Sequence, residues 1–303
     1  MIQPFINNEF SKIKQVVLGI GNNFGGCPPI SDAYDPKSKE HIINGTFPKE
    51  DDIKNELEQF LNILNKHDVD VLRPKNIFNC NQIFTRDVGF VIEDCFFVSN
   101  MINQRKNEIF GFQEILKQIH SSSIHTIPNH LFVEGGDVIV SDNYVFVGVC
   151  KSKTFDKYQV SRTSDGILDF ISNKFPNKEV VGLELKKSDT NPRENCLHLD
   201  CCFQPLGLGH VIVYPDGFRS KSDFKLIETI FGSDKLIIVD QDEMYNMFPN
   251  IFSISNNIIV SDKRFHRLNS LLIKKGYLVE EISFCEVSKM GGLFRCSTLP
   301  LLR

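Results

Sequence analysis

Short apolar runs alternate along the whole chain with longer stretches that place apolar residues at every third or fourth position. Gln15-Val-Val-Leu-Gly-Ile20 is a β-branched run that fits a strand. Residues 50–66 then put Ile53, Leu57, Phe60, Leu61 and Leu64 on one helical face, with Glu50, Asp51 and Asp52 in the first turn, where the helix dipole favours negative charge. Val69 to Leu72 reads as the return strand. Next, Asp87–Ile92 and Cys95–Ser99 flank Glu93-Asp94 as a hairpin. A helix over 104–119 follows, with Ile109, Phe112, Ile115, Leu116 and Ile119 on one face, and then a strand at His125–Ile127.

The same order returns three times. Asp137 to Gly148 reads as a hairpin, followed by a helix at 163–175 and a strand at 180–185. Cys201 to Tyr214 folds around Gly207-Leu-Gly209, followed by a helix at 222–231 and a strand at 236–239. Asn250 to Ser261 is the last hairpin, before a helix at 263–275 and a strand at Leu278–Ile282. Counting a degraded N-terminal copy, about five units of roughly 50–60 residues fill the chain, which is the signature of a modular array. The fold expected is α/β, a pseudo-fivefold α/β propeller in one domain over 1–303, its modules arranged around a central pocket. Polar clusters recur at matching places: Thr85-Arg86-Asp87, Glu134-Gly-Gly-Asp137 and His198-Leu-Asp200 each precede a hairpin, and Cys296 is read as following the last strand.

Composition narrows the classes. With 303 residues, 41% hydrophobic and 24% charged, the chain can bury a large core. It lacks the run of roughly eighteen apolar residues that a span needs, and Met1–Glu9 has no basic-then-apolar leader, so a cytoplasmic protein without a membrane partner is expected. A net charge of −4 with only short basic clusters argues against nucleic acid. The nine cysteines contain no Cys-x-x-Cys pair and read as reduced thiols. Gly19, Gly21, Gly25 and Gly26 miss the spacing of a phosphate loop, and Pro28-Pro29 arrive where its helix would start.

Gathered in one pocket, the polar clusters supply a thiol (Cys296), an imidazole (His198) and four carboxylates (Asp87, Glu134, Asp137, Asp200). A thiolate beside a protonated imidazole is a nucleophilic dyad. So many carboxylates raise a thiol's pKa and repel anions, which suits a cationic substrate; a planar guanidinium pairs bidentately with such groups. Each member also has a plain structural reading. Cys296 fits a buried small hydrophobe, His198 a core histidine satisfied by Asp200, Arg86-Asp87 an ion pair, and Glu134-Gly-Gly-Asp137 a turn. A metal site at His198, Asp200, Cys201 and Cys202 is disfavoured, because adjacent strand residues point to opposite faces.

Phe84-Thr-Arg-Asp87, Glu134-Gly-Gly-Asp137, Arg162-Thr-Ser, His198-Leu-Asp200 and Gly291-Gly-x-x-Arg-Cys296-x-x-x-Pro300 resemble the motifs of the arginine deiminase, dimethylarginine dimethylaminohydrolase and amidinotransferase superfamily, the penteins. That resemblance covers residues 84–303. It implies that Cys296 attacks a guanidinium carbon, His198 shuttles protons and Glu134 assists. It also implies that Asp87 and Asp200 hold the guanidinium nitrogens, with Arg86 and Asp137 beside them, and that Arg162 grips a substrate carboxylate. Hydrolysis to a ureido product is the activity implied first, with amidino transfer and a non-catalytic binding propeller as the alternatives. No cofactor or metal is expected, and the partners are a small cationic guanidino compound and a second copy in a homodimer. The length leaves no room for the helical insertion of full arginine deiminases, whereas Asp200 is commonly lacking in dimethylaminohydrolases. The segment Lys151–Val160 is longer than the deiminase pattern.

Overall fold

Fifteen short strands pair into five three-stranded sheets of one topology. A computed structural model describes residues 1–303. In chain order, β1 (Gln15–Leu18) is followed by α1 (Pro36–Ile43), α2 (Glu50–Lys66) and β2 (Asp70–Leu72). The next sheet holds β3 (Gly89–Ile92), β4 (Cys95–Val98) and, after the short α3 (Gln113–Leu116), β5 (Ile124–Thr126). Then come β6 (Val138–Ser141), β7 (Tyr144–Val149), α4 (Ser152–Phe155), α5 (Ile167–Lys174) and β8 (Glu179–Glu184). The fourth group is β9 (Phe203–Pro205), β10 (Val211–Val213), α6 (Lys221–Phe231) and β11 (Leu236–Ile238). The fifth is α7 (Gln241–Tyr245), β12 (Phe252–Ser255), β13 (Ile258–Asp262), α8 (His266–Lys274) and β14 (Leu278–Ile282). After α9 (Cys285–Ser288), the chain ends in β15 (Thr298–Leu302).

In each sheet the middle strand is antiparallel to one neighbour and parallel to the other, as β4 is to β3 and β5. In the β3–β4 and β6–β7 hairpins the turns are two residues long: Ile92 pairs with Cys95 and Ser141 with Tyr144, leaving Glu93-Asp94 and Asp142-Asn143. Their first residues, Glu93 and Asp142, take φ of 51° and 49° to match the strand twist. The helix–strand return after each hairpin makes the parallel pair, which needs such a crossover. The five-module ring of a pentein propeller is therefore present.

Two expectations are corrected. The N-terminal module is complete rather than degraded: its first strand is β15, which pairs antiparallel with β1 through Leu18–Thr298 and Gln15–Leu302. The two chain ends thus close the ring, and β1 gains partners on the side where it would otherwise be an open edge. Cys296 accordingly precedes the first strand of this module, the position the other polar clusters occupy in theirs. The long helix over 104–119 is also absent, replaced by a 3-10 segment Lys106–Phe112 and the single turn of α3. Gly111 lies where a Cβ would come within 2.0 Å of Gln82 Nε2, so the segment packs too closely on residues 75–82 to form a regular helix with a side chain there.

Turns before the first strands meet around the axis and hydrogen-bond from module to module. Gly136 N donates to Asp87 Oδ1 (3.0 Å), Leu199 N to Asp137 Oδ1 (2.9 Å) and Asn250 Nδ2 to Asp200 O (3.3 Å). Cys296 N donates to Asn250 Oδ1 (3.0 Å), and Arg86 N to Cys296 O (3.1 Å), which completes the circle. No helix is long and apolar enough to cross a membrane.

Candidate active site

A cavity of about 420 Å³ opens at the axis, with Cys296, His198, Asp87, Arg105, Glu108 and Arg162 among its walls. Residues 24–29 and 32–35, which include Gly25 and Gly26, and Phe78 form its outer rim.

Cys296 is brought there by Gly291-Gly292. Gly291 has φ of 81°, and a Cβ on Gly292 would sit 2.4 Å from the Phe84 ring, so the chain can pass only without side chains. The thiol is 2% exposed. Its Sγ accepts a hydrogen bond from Asn250 Nδ2 (3.1 Å) and donates to Asp200 (3.5 Å to Oδ2). Burial, and then the Asp200 and Asp87 carboxylates, push the thiol well above its ordinary range, so the resting state is the neutral S–H. No hydrogen bond joins it to His198, although both groups face the cavity.

His198 Nε2 donates to Glu134 Oε2 at 2.9 Å and lies 3.7 Å from Asp87 Oδ1. Burial alone would keep the imidazole neutral; the Asp87 charge and the Glu134 hydrogen bond outweigh it and raise the pKa above its ordinary value. Glu134 is fully buried, and its carboxyl is held well below the usual range because Arg105 and His198 overcome the burial cost. Gly136 explains the glycine pair after Glu134, since a Cβ there would meet Asp87 Oδ1 at 2.7 Å and His198 Cγ at 2.8 Å.

Asp87, Glu134 and His198 offer ligand atoms within 4.8 Å of one another, the size of a metal site. Their charge is met by a guanidinium instead. Arg105 Nη1 donates to Asp87 (2.5 Å) and Glu134 (3.2 Å), while its Nε and Nη2 fork onto Glu108 at 2.8 Å each. Burial and the neighbouring acids leave Glu108 raised to about 7 despite that fork.

Behind the wall, Asp200 Oδ2 accepts from Arg295 Nη1 (2.8 Å), and Arg295 Nη2 donates to Glu9 (3.0 Å). Arg86 lies 3.6 Å from Glu9 and donates from Nε to Arg295 O, away from the cavity. Asp137 takes Thr163 Oγ1 (2.6 Å) and Leu199 N, so it fastens one module to the next and does not reach the cavity wall. Arg162 does line the cavity, donating to the carbonyls of Gln159 (2.7 Å), Ser161 (3.1 Å) and Tyr34 (3.0 Å) while its buried Nε has no partner. The cavity wall thus unites Cys296, His198, Asp87 and Arg162 from four modules, with Glu134 and Asp200 directly behind them. Arg105, Glu108, Asn250 and Glu9 were not singled out from sequence, and Arg295 only as a motif residue beside Cys296. The i,i+3 pair Arg105–Glu108 was the available signal for two of them.

A ring of five such modules, with a cysteine, a histidine and buried acids at its axis, defines a pentein of the guanidino-modifying superfamily. Residues 39–303 match the model for N,N dimethylarginine dimethylhydrolase, eukaryotic, and the chain belongs to that family. It is 31% identical over 243 residues to the uncharacterized protein YkgA of Bacillus subtilis, covering 79% of this chain and 77% of that one. It is 26% identical to the bifunctional arginine dihydrolase/ornithine cyclodeaminase AgrE of Nostoc, covering 90% of this chain but 37% of AgrE. Among solved structures, the substrate-bound N-terminal domain of ArgZ, a cyanobacterial arginine dihydrolase, superposes with a TM-score of 0.79 at 21% identity, covering 95% of this chain and 98% of that one. SxtG, an amidinotransferase from Microseira wollei, superposes at 0.75 with 16% identity, covering 99% and 97%. At these identities the two structures speak to the fold alone.

Proposed function

We propose that the chain is a cysteine-dependent hydrolase of the guanidinium group of arginine or an arginine derivative. The observation that carries this reading is the placement of Cys296 and His198 on the walls of one acid-rich cavity. A cationic guanidinium entering it offsets the Asp200 and Asp87 charges that hold the thiol protonated, so substrate binding favours loss of the S–H proton to solvent and leaves the thiolate. The sulfur then bonds to the guanidino carbon. His198 gives its proton to the departing nitrogen, which leaves as ammonia or an amine, and an S-alkylthiouronium remains. His198, now neutral, takes a proton from water; the hydroxyl adds to the same carbon, the C–S bond breaks with the electron pair going to sulfur, and the hydroxyl proton passes to that sulfur, so that the ureido product and the thiol are released and His198 is again protonated. Glu134 steadies the imidazolium, and no cofactor enters any step.

The test is turnover of arginine and Nω-methylated arginines by wild-type and Cys296→Ser protein, with and without glycine as acceptor amine. Ureido product and ammonia formed without acceptor, and lost in the variant, support hydrolysis. A new guanidino compound formed only with glycine assigns amidino transfer. A wild-type protein that turns over none of them is a binding propeller.

A further inference from the structure

We infer that Asn250 is a positioning residue for the nucleophile: its amide latches the turn that carries Cys296 and directs an N–H at the sulfur. The inference rests on reading Cys296 as the nucleophile. Asn250 is fully buried and precedes β12 as Asp87 precedes β3, Asp137 precedes β6 and Asp200 precedes β9. Asp87 and Asp137 each use one carboxylate oxygen to accept a backbone N–H of the following module. Asn250 Oδ1 does the same, taking Leu293 N (3.1 Å) and Cys296 N (3.0 Å).

Those two donors fix the amide's orientation, because the flipped form would set N–H₂ against two N–H groups. Nδ2 must then face Cys296 Sγ, where it lies at 3.1 Å, and Asp200 O at 3.3 Å. It is the one side-chain donor to that sulfur; the other polar contacts of Sγ are the oxygens of Asp200. A carboxylate at 250 would keep the latch, as it does at 87 and 137, yet would turn an oxygen toward the thiolate. The amide meets both demands: an acceptor for the turn and a neutral donor for the developing S⁻.

The variants Asn250→Asp and Asn250→Ala separate these roles. Iodoacetamide labelling at Cys296, followed by mass spectrometry across pH, reads the thiol without requiring turnover, so this test stands apart from that of the hydrolase reading. Thermal stability is expected to fall in the order wild type, N250D, N250A, because N250D retains the latch. The labelling limb is expected to move up by about one to three pH units in N250D, and by less in N250A, since only the former adds like charge beside the sulfur. In turnover, kcat falls while KM holds. If N250D does not fold, N250A alone must still raise the limb. A limb unmoved in either variant while stability drops, or one moved further by alanine than by aspartate, overturns the inference.

Discussion

Arg105 Nη1 lies 2.5 Å from Asp87 Oδ2, so a guanidinium of the chain itself is seated in the acid cluster beside His198. The same guanidinium serves Glu134 and forks onto Glu108, all of them buried. Three carboxylates and a histidine can share this space because one delocalised cation satisfies them in several directions at once.

Removing that cation should therefore be costly. Arg105→Met leaves buried carboxylates without a partner and is expected to cost about 3–5 kcal/mol in urea unfolding at neutral pH. Arg105→Lys should recover part of this loss, since a point charge cannot fork onto Glu108 while reaching Asp87. A loss below about 1 kcal/mol in the methionine variant, the range of an exposed pair, would show that the cluster is satisfied by other means.

Glu134 should set the alkaline edge of activity. His198 is held protonated above its ordinary value, against burial, by the Asp87 charge and the Glu134 hydrogen bond. Under the proposed hydrolase the imidazolium is the acid, so activity is expected to fall as pH rises through the raised pKa. Glu134→Gln removes a negative charge and should move the alkaline limb of kcat to lower pH. An unmoved limb would assign it to another group.

Glu9 should carry an acid-dependent share of stability. Burial would raise its carboxyl, but Arg295 and then Arg86 bring it down to about 2 from an ordinary 4.5. A depressed carboxylate stabilises the fold fully above its unfolded value and loses that contribution as pH falls from about 4.5 toward 2. The difference corresponds to about 3 kcal/mol. Urea unfolding of Glu9→Gln should show a gap from wild type at pH 7 that narrows by pH 3. A gap constant with pH would mean that packing, not charge, is what the substitution removes.

Module boundaries were readable in sequence because three of the hairpins are pairs of apolar runs broken by two polar residues, the fourth turning through Leu206–His210, and most return strands follow a helical period. Ring closure was not: Thr298-Leu-Pro-Leu-Leu302 looks like a tail, and its partner β1 lies at the other end of the chain. Pro300 further disguises it, since a proline demotes a strand from sequence alone. His198 and Asp87 stood out because polar clusters recur before successive hairpins, and Cys296 because it follows the Gly291-Gly292 pair; that it also precedes a first strand emerged only with ring closure. Arg105 sits in Asn103-Gln-Arg-Lys-Asn-Glu108, a run that local sequence makes indistinguishable from a solvated helix face; only the tertiary fold turns it inward. Asn250 was hidden for a different reason, as its function lies in the partner of each amide atom rather than in residue type.

Arg162 offers the sharpest probe of substrate choice. Its Nη atoms hold three carbonyls, including Tyr34 at the cavity rim, while the buried Nε faces Glu134 at 3.6 Å and has no hydrogen-bond partner. Under the proposed hydrolase, the Arg162 guanidinium on the cavity wall is the cationic group there to meet a substrate carboxylate. Under the proposed hydrolase, Arg162→Lys should lower kcat/KM for arginine by about 10- to 100-fold, the worth of a charged hydrogen bond, mostly through KM. Agmatine, which keeps the guanidinium and lacks the carboxylate, supplies the control: its already weaker turnover should change far less. Equal losses for the two compounds would instead assign Arg162 to holding Tyr34 and the rim, and faster proteolysis within residues 24–35 of the variant would then accompany them.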